Sequence, residues 1–521
     1  MKLKDNIFNC RTPKSTYWGL ILLLVLATSS CEKFVDIKKN SRQAIIETAA
    51  DCQLLLDNYS YMNMNYPSDG ETSADDYFLY NAGYVSGSLT QAEKDFHIWA
   101  SSAIRPGAAQ WQPSYKTVFS ANLVLETLAK IKLGTTDQVT LNTLRGSALF
   151  YRAFAFWQIA QLYAKPYIAS TASQDLGIPI RLSSDINDES ERGTVAQTYA
   201  RITQDLQEAI TLLPNTSSVA SRPNKVAAYA MLARTYLSME DYPNALINAN
   251  AALQINNQLI DFNTLDKNAE TPFSPRYNKE VIFQAVMAAS TTPSTNILNP
   301  ANDFTGAKIN QALVDSYTAN DLRKKIFLKP NTTDVQIPNQ APATGTTNVN
   351  VPDGTYRFTG NYEPAASALL FVGLAVDELY LIRAECYARV NNIAGAITDL
   401  NTLLRTRWMT GTYVDMIASS ADDALVKVLT ERRKELLMRN LRWSDLRRLN
   451  KDPKFQVTLT RQIKEYAPVI TGYYSGNPST YTVTNGYTVK ASYTLPPNDL
   501  RYTLLIPQQV INNSSVPQNP R

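Results

Sequence analysis

Four residues of one helical stretch return, in order and at a constant offset, in a second stretch. Tyr229, Ala233, Tyr236 and Ala245 are matched by Tyr380, Ala384, Tyr387 and Ala396. Alanine at the close-approach positions lets two antiparallel helices touch, and the rings fill the gap to the next pair. Ala252 continues the first unit on its small side, where Leu403 continues the second. The stretch from Phe150-Tyr151-Arg152-Ala153-Phe154 to Leu162-Tyr163 reads as a third, more divergent copy. One such helix pair cannot bury its apolar face alone, so the chain is pushed toward stacked pairs.

The order aromatic, small, aromatic, small matches the tetratricopeptide (TPR) pattern, a helix pair of about 34 residues. A short helical pattern begins at Ser41, with Leu54, Leu55 and Leu56 near its end. The main helical periodicity covers about residues 115–165, 195–255 and 374–449. Between and after these lie stretches rich in Tyr, Asn, Ser, Gly and Pro, about 59–110, 257–373 and 450–521. Within them Val281–Val286 is strand-like and Pro330–Val351 reads as a mobile loop, while 450–521 reads as loop and short strand without helix. The expected fold is mostly α: a TPR-like scaffold with large loop-rich insertions and a few short strands. Loops on rigid scaffolds carry function, so these insertions are the expected ligand face.

The start of the chain looks like an export signal. Lys2, Lys4, Arg11 and Lys14 precede the apolar run Trp18–Ala27, and the small residues Thr28-Ser29-Ser30 lead to Cys31. The run is shorter than the ~20 apolar residues of a membrane span and fits a signal peptide. A cysteine directly after small residues resembles the lipobox of bacterial lipoproteins, with Thr28 where an apolar residue is usual. Residues 1–30 are then the signal, 31–521 the mature domain, and Cys31 the site of lipidation. The alternative is an ordinary secretory signal with a chance cysteine. Removing those four basic residues and Asp5 lowers the formal charge from +4 to +1, which leaves no electrostatic footprint for nucleic acid. Of the 4 cysteines, Cys10 leaves with the signal. Cys52 and Cys386 read as buried free thiols, the alternative being a disulfide between them in an oxidising compartment, and no CxxC zinc pair is present. The single histidine, His97, excludes the common His-based catalytic and zinc sites. It reads as a packed or hydrogen-bonded surface residue.

The segment Glu431-Arg432-Arg433-Lys434-Glu435-Leu436-Leu437-Met438-Arg439-Asn440-Leu441-Arg442-Trp443-Ser444-Asp445-Leu446-Arg447-Arg448 resembles the signature helix of the SusD/RagB family. Arg439-Asn440 stands where Glu-Gly is usual there. Trp111, Tyr115 and Ala121-Asn122, the exit Leu162-Tyr163-Ala164-Lys165-Pro166, Gly177-Ile178-Pro179, Glu280–Phe283, Asp321-Leu322-Arg323, Glu378–Glu385 and Leu504–Pro507 are similar to other pieces of the family. The resemblance implies a lipid-anchored protein on the outer-membrane surface of Bacteroidota. Such proteins pair with a SusC-like TonB-dependent β-barrel transporter and capture oligosaccharides or, in some members, peptides. It implies no cofactor. The charges of the signature helix read as an internal ion-pair lattice fixing it to the repeats.

A sugar site needs rings that stack on C–H faces, together with polar side chains for hydroxyls. The candidate rings are those in loop-like sequence: Tyr66, Tyr77, Tyr80, Trp99, Tyr356 and Tyr362. Asp69, Glu71, Asp75 and Asp76 form an acidic loop, either solvated or able to hold calcium. The competing classes are a non-catalytic binding protein, a surface glycan hydrolase with paired carboxylates, and a protein-binding TPR adaptor.

Overall fold

The computed structural model describes residues 46–64, 66–132, 134, 136–288, 297–298, 305–340, 345–364 and 369–521. Cys31 and the signal lie outside the described residues. The helical layer runs through α1 (Gln112–Leu128), α2 (Gln138–Tyr163), α3 (Val195–Leu212), α4 (Lys225–Ser238), α5 (Tyr242–Ile255), α6 (Val376–Arg389), α7 (Ile393–Arg405), α8 (Ala421–Glu435) and α9 (Arg442–Leu449). Each of α1 to α4 packs on its successor, and α5 packs on α6 across a long insertion. The repeat therefore closes in space although it is interrupted in sequence.

The two repeated pairs share their turn chemistry. Glu240 between α4 and α5 and Asn391 between α6 and α7 both take left-handed φ, 61° and 62°. The next residues, Asp241 and Asn392, cap the second helices by accepting from the amides of Asn244 and Gly395. Ala233, Ala245, Ala384 and Ala396 are fully buried at the close approaches.

The loop-rich stretches are more ordered than the sequence suggests. Residues 59–110 carry the short helices Tyr59–Met62, Asp69–Ser73, Asn81–Val85 and Gln91–His97. The strands used below are β1 (Val281–Phe283), β2 (Val286–Ala288), β3 (Leu328–Pro338), β4 (Thr346–Phe358), β5 (Leu369–Phe371), β6 (Leu374–Ala375), β7 (Leu459–Tyr466), β8 (Val469–Gly472), β9 (Tyr481–Thr484) and β10 (Tyr487–Leu495). All pair antiparallel: β1 with β6, β2 with β5, β3 with β4, β7 with β10 and β8 with β9. The expected mobile loop Pro330–Val351 is in fact most of the β3–β4 hairpin. Its alternation of buried Thr333, Val335 and Ile337 with exposed neighbours is the period-2 signal of a strand. The β7–β10 region forms a second long hairpin, and a short helix, Gln508–Asn512, follows it.

The signature segment is two helices, not one. Met438 and Asn440 take φ of 58° and 59° and separate α8 from α9. Asparagine tolerates this left-handed region better than most residues, so Asn440 can serve where glycine is usual. Its backbone N–H donates to Glu71 Oε2 at 2.7 Å and its amide to Pro67 O at 2.9 Å. A Cβ on Gly70 would stand 2.9 Å from Leu162, which explains the glycine at this approach.

The lattice charges find partners inside the chain. Glu435 accepts from Arg407 at 2.7 Å and Arg323 at 3.1 Å, and none of the three side chains is exposed. Arg407 also pairs with Glu280 at 2.9 Å. Arg432 and Arg448 share Asp445, and Arg439 reaches Asp377 at 2.9 Å. Cys52 and Cys386 are buried free thiols.

Removing one partner of a buried pair strands the other charge, so Arg407→Ala should lower unfolding free energy by about 3–5 kcal/mol in chemical denaturation. Burial first, and Asp76 second, push the Glu71 carboxyl from 4.5 up to about 8. The folded protein then holds a proton that the unfolded chain releases. This contribution is complete below pH 4.5 and fades as pH rises toward about 8. The stability difference between wild type and Glu71→Gln should therefore fall over that window, and a difference flat with pH would contradict it.

Candidate functional site

Five of the six rings expected to meet ligand belong to the core. Tyr66, Tyr77, Tyr80, Trp99 and Tyr362 are buried. Tyr66 donates to Met62 O at 2.6 Å, Tyr77 to Thr72 O at 2.7 Å, and Trp99 Nε1 to Ser73 O at 2.8 Å. Tyr362 donates to Glu280 at 2.6 Å, with the Arg439 guanidinium 3.9 Å above its ring. The physical reason is that remote parts of the chain cover these rings: Phe154 of α2 packs on Tyr66, Tyr487 on Tyr80 and Phe273 on Tyr362. Tyr77 and Trp99 flank Arg461 of β7, whose carbon lies 5.0 and 4.8 Å from their centroids. Arg461 donates to the carbonyls of Thr72, Ala74 and His97, and to His97 Nδ1 at 2.6 Å. His97 is thus buried rather than at the surface. Burial, and then the Arg461 charge, hold its imidazole well below its ordinary pKa.

The acidic loop is neither solvated nor arranged for calcium. Asp69 pairs with Arg105, Asp75 with Arg433 and Arg442, and Asp76 with Arg433. No group of acidic, histidine or cysteine side chains among the described residues is placed to hold a metal.

Exposed tyrosines gather on the two long hairpins. The hairpins meet at two levels. Near the tips, Asn339 bridges to Tyr474, whose N–H donates to Pro338 O at 2.7 Å. Lower down, the Tyr487 hydroxyl donates to Asp353 O at 2.6 Å and the Asn485 amide to Pro352 O at 3.3 Å. A Cβ on Gly354, at φ 78°, would lie 2.9 Å from the Asn485 amide, so glycine permits this approach.

Tyrosines line the seam. Tyr466 and Tyr487 are cross-strand neighbours with centroids 5.9 Å apart, and Tyr487 stacks at 19° on buried Tyr80. Tyr80 is thus the support for an exposed ring. Tyr474 and Tyr481 face each other at 6.3 Å. Tyr487 and Tyr473 remain 40% and 42% exposed. The Tyr466 hydroxyl donates to Asn485 Oδ1 at 2.6 Å, and Lys464 sits 6.0 Å from the Tyr487 ring. Burial raises the pKa of both phenols, so they stay neutral donors. Tyr356, half-buried on β4 beside Lys324, is the one expected ring left partly open. The arrangement offers ring faces with phenol, amide and ammonium groups beside them, which suits an elongated polar ligand with apolar C–H faces.

The seam tyrosines lay outside the sequence-based candidates. Their signal is the alternation Tyr481-Thr482-Val483-Thr484 and Tyr487-Thr488-Val489, a half-buried strand pattern.

Residues 33–237 match a family described as starch-binding and associating with the outer membrane, and residues 267–521 match the SusD family. The SusD-like protein P2 of Formosa agariphila is 25% identical over 374 residues, 66% of this chain and 71% of that protein. A putative sugar binding protein from Bacteroides vulgatus has the same fold, with TM-score 0.64 and 21% identity over 92% of this chain and 99% of its own. A SusD superfamily protein from Bacteroides thetaiotaomicron gives TM-score 0.64 and 20% identity over 91% and 100%. A laminarin binding SusD-like protein gives TM-score 0.58 and 16% identity over 91% and 98%.

Core and seam rings should separate by substitution. Tyr362→Ala should cost about 3–5 kcal/mol of stability, as for other large buried rings, whereas Tyr473→Ala should stay within about 0.5 kcal/mol. Denaturant midpoints of the two variants measure the difference.

Proposed function

From a chain that belongs to the SusD family, we propose a cell-surface lipoprotein, anchored through Cys31, that captures an oligosaccharide and passes it to a SusC-like TonB-dependent transporter. The observation that carries the ligand reading is the tyrosine seam, with exposed Tyr487 stacked on buried Tyr80 and Tyr473 exposed near the tip. Flat rings with adjacent hydroxyl and amide groups fit a pyranose chain, whose faces are apolar and whose edges are polar. The relative named for laminarin binding supports a glycan over a peptide. No described helix is long and apolar enough to cross a membrane; in this reading the lipid at Cys31 is the anchor. The role is capture without catalysis: the buried carboxylates detailed above are held by arginines, amides and a phenol of the same chain.

The test is an affinity screen of the chain lacking residues 1–31 against neutral glycans, anionic glycans and peptides. The expected result is saturable binding of one glycan class without product formation. A joint Tyr473→Ala/Tyr487→Ala variant should weaken it at least about tenfold, or ~1.4 kcal/mol. Hydrolysis of the glycan would move the protein to the hydrolase reading, and binding of peptides alone would move it to a peptide importer.

A further inference from the structure

A hollow of about 340 Å³ opens where the start of α1, the 179–190 loop and the C-terminal segment 509–516 converge. It shares no lining residue with the tyrosine seam. Its apolar side is a pair of rings. Trp111 stacks on Tyr115 at 4.9 Å and 26°, and meets Tyr163 edge to face at 5.1 Å. The Tyr115 hydroxyl donates to Pro179 O at 2.9 Å, so both rings are set before a ligand arrives. The Trp111 indole N–H has no acceptor among the described residues and, unlike that of Trp443, is not sealed from solvent.

A second hollow, of about 230 Å³, adjoins the first. It shares Tyr115 and Arg181 with it and continues along α1 to Phe119. Trp111, Tyr115 and Phe119 lie one helical turn apart, so the rings form a stripe along one face. Ile186, 79% exposed, lines the second hollow from the facing loop.

The polar lining offers no free charge. No carboxylate or lysine lines either hollow. Arg181 is the one cation, and its own loop holds it: Nη1 donates to Asp188 O at 2.5 Å and to Ser190 Oγ at 2.8 Å, and Nη2 to Asp185 O. The exposed amides of Gln112 and Asn513 make no hydrogen bond with the described residues. Gln509 Oε1 accepts from Ala108 N at 3.0 Å, which orients that amide and leaves its Nε2 to donate. An aromatic stripe bordered by uncommitted amides suits a ligand with C–H faces and uncharged hydroxyl edges. An anion would meet only a committed guanidinium, and a cation would find no counter-charge.

We propose that this stripe is a second carbohydrate site, which takes a short neutral oligosaccharide on Trp111 and Tyr115, with Gln112, Gln509 and Asn513 reading its hydroxyls. It shares with the proposed function only the class of ligand.

The test uses the chain lacking residues 1–31 with the seam disabled by Tyr473→Ala/Tyr487→Ala. Cellotriose, maltotriose, laminaritriose, trigalacturonate and decaproline are titrated calorimetrically, and crystals are soaked in the tightest-binding trisaccharide. The expected result is one saturable site for a neutral trisaccharide, seen against Trp111 in the soaked crystal. Gln112→Ala/Asn513→Ala, at two exposed positions, should weaken it about tenfold, the effect of two lost neutral hydrogen bonds, with the denaturation midpoint unchanged. Trp111→Phe, which keeps a ring and loses the N–H, should weaken it severalfold. Absence of neutral-sugar binding in the seam-disabled chain, undiminished binding in both groove variants, or binding of trigalacturonate or decaproline alone would overturn the site. Equal sugar binding by wild type and the seam-disabled chain, lost in Gln112→Ala/Asn513→Ala, means that the seam fails and this site stands, so the two failures are read separately.

Discussion

A carboxylate shared between two buried guanidiniums determines how the parts of this protein meet. Glu435, at the end of α8, receives Arg407 from the chain just after α7 and Arg323 from the insertion. Arg407 continues to Glu280, and Glu280 to the Tyr362 hydroxyl. The Arg323–Glu435 and Arg407–Glu280 links cross between the helical scaffold and the segment that leaves and rejoins it. In a low-dielectric interior such pairs add little net stability over apolar packing, but breaking one is severe. Directional hydrogen bonds of this kind favour one placement of the insertion against α8, which greasy contacts alone would not specify.

The same logic fixes the C-terminal hairpin. Arg461 enters from β7 between the Tyr77 and Trp99 rings and is received by backbone carbonyls and His97. These aromatics are the socket for a guanidinium, so their burial is a condition for the hairpin to stand where it does. Tyr80 does the equivalent for Tyr487 at the seam. The exposed Tyr487 ring is therefore held in place by a buried one from a distant part of the sequence.

The scaffold was legible because its signals are local. The alanine and tyrosine spacing marked the helix pairs, and the caps at Asp241 and Asn392 follow at corresponding places. The signature charges were also readable as internal pairs, since a helix carrying so many alternating charges must find partners for them. The site was not legible, for a physical reason. Loop-like composition around Tyr66, Tyr77 and Trp99 says nothing of burial, which depends on whether a remote arginine or helix arrives to cover the ring. Conversely, Thr- and Asn-rich runs such as Thr332–Asp334 and Thr347–Asn350 look like loop until two of them pair across a register. Asn440 shows the third limit. Its departure from glycine changes the residue while the left-handed backbone persists.

The contact of α5 with α6, together with the pairing of β1 with β6 just before α6, brings the two ends of the insertion together. The insertion that carries β3 and β4 is therefore a closed excursion from an otherwise continuous stack. Lengthening such an excursion costs only about 0.6 kcal/mol per doubling of its length, and the helices beneath need not shift. That excursion can therefore be rewritten without disturbing the stack, as a handle accepts different blades.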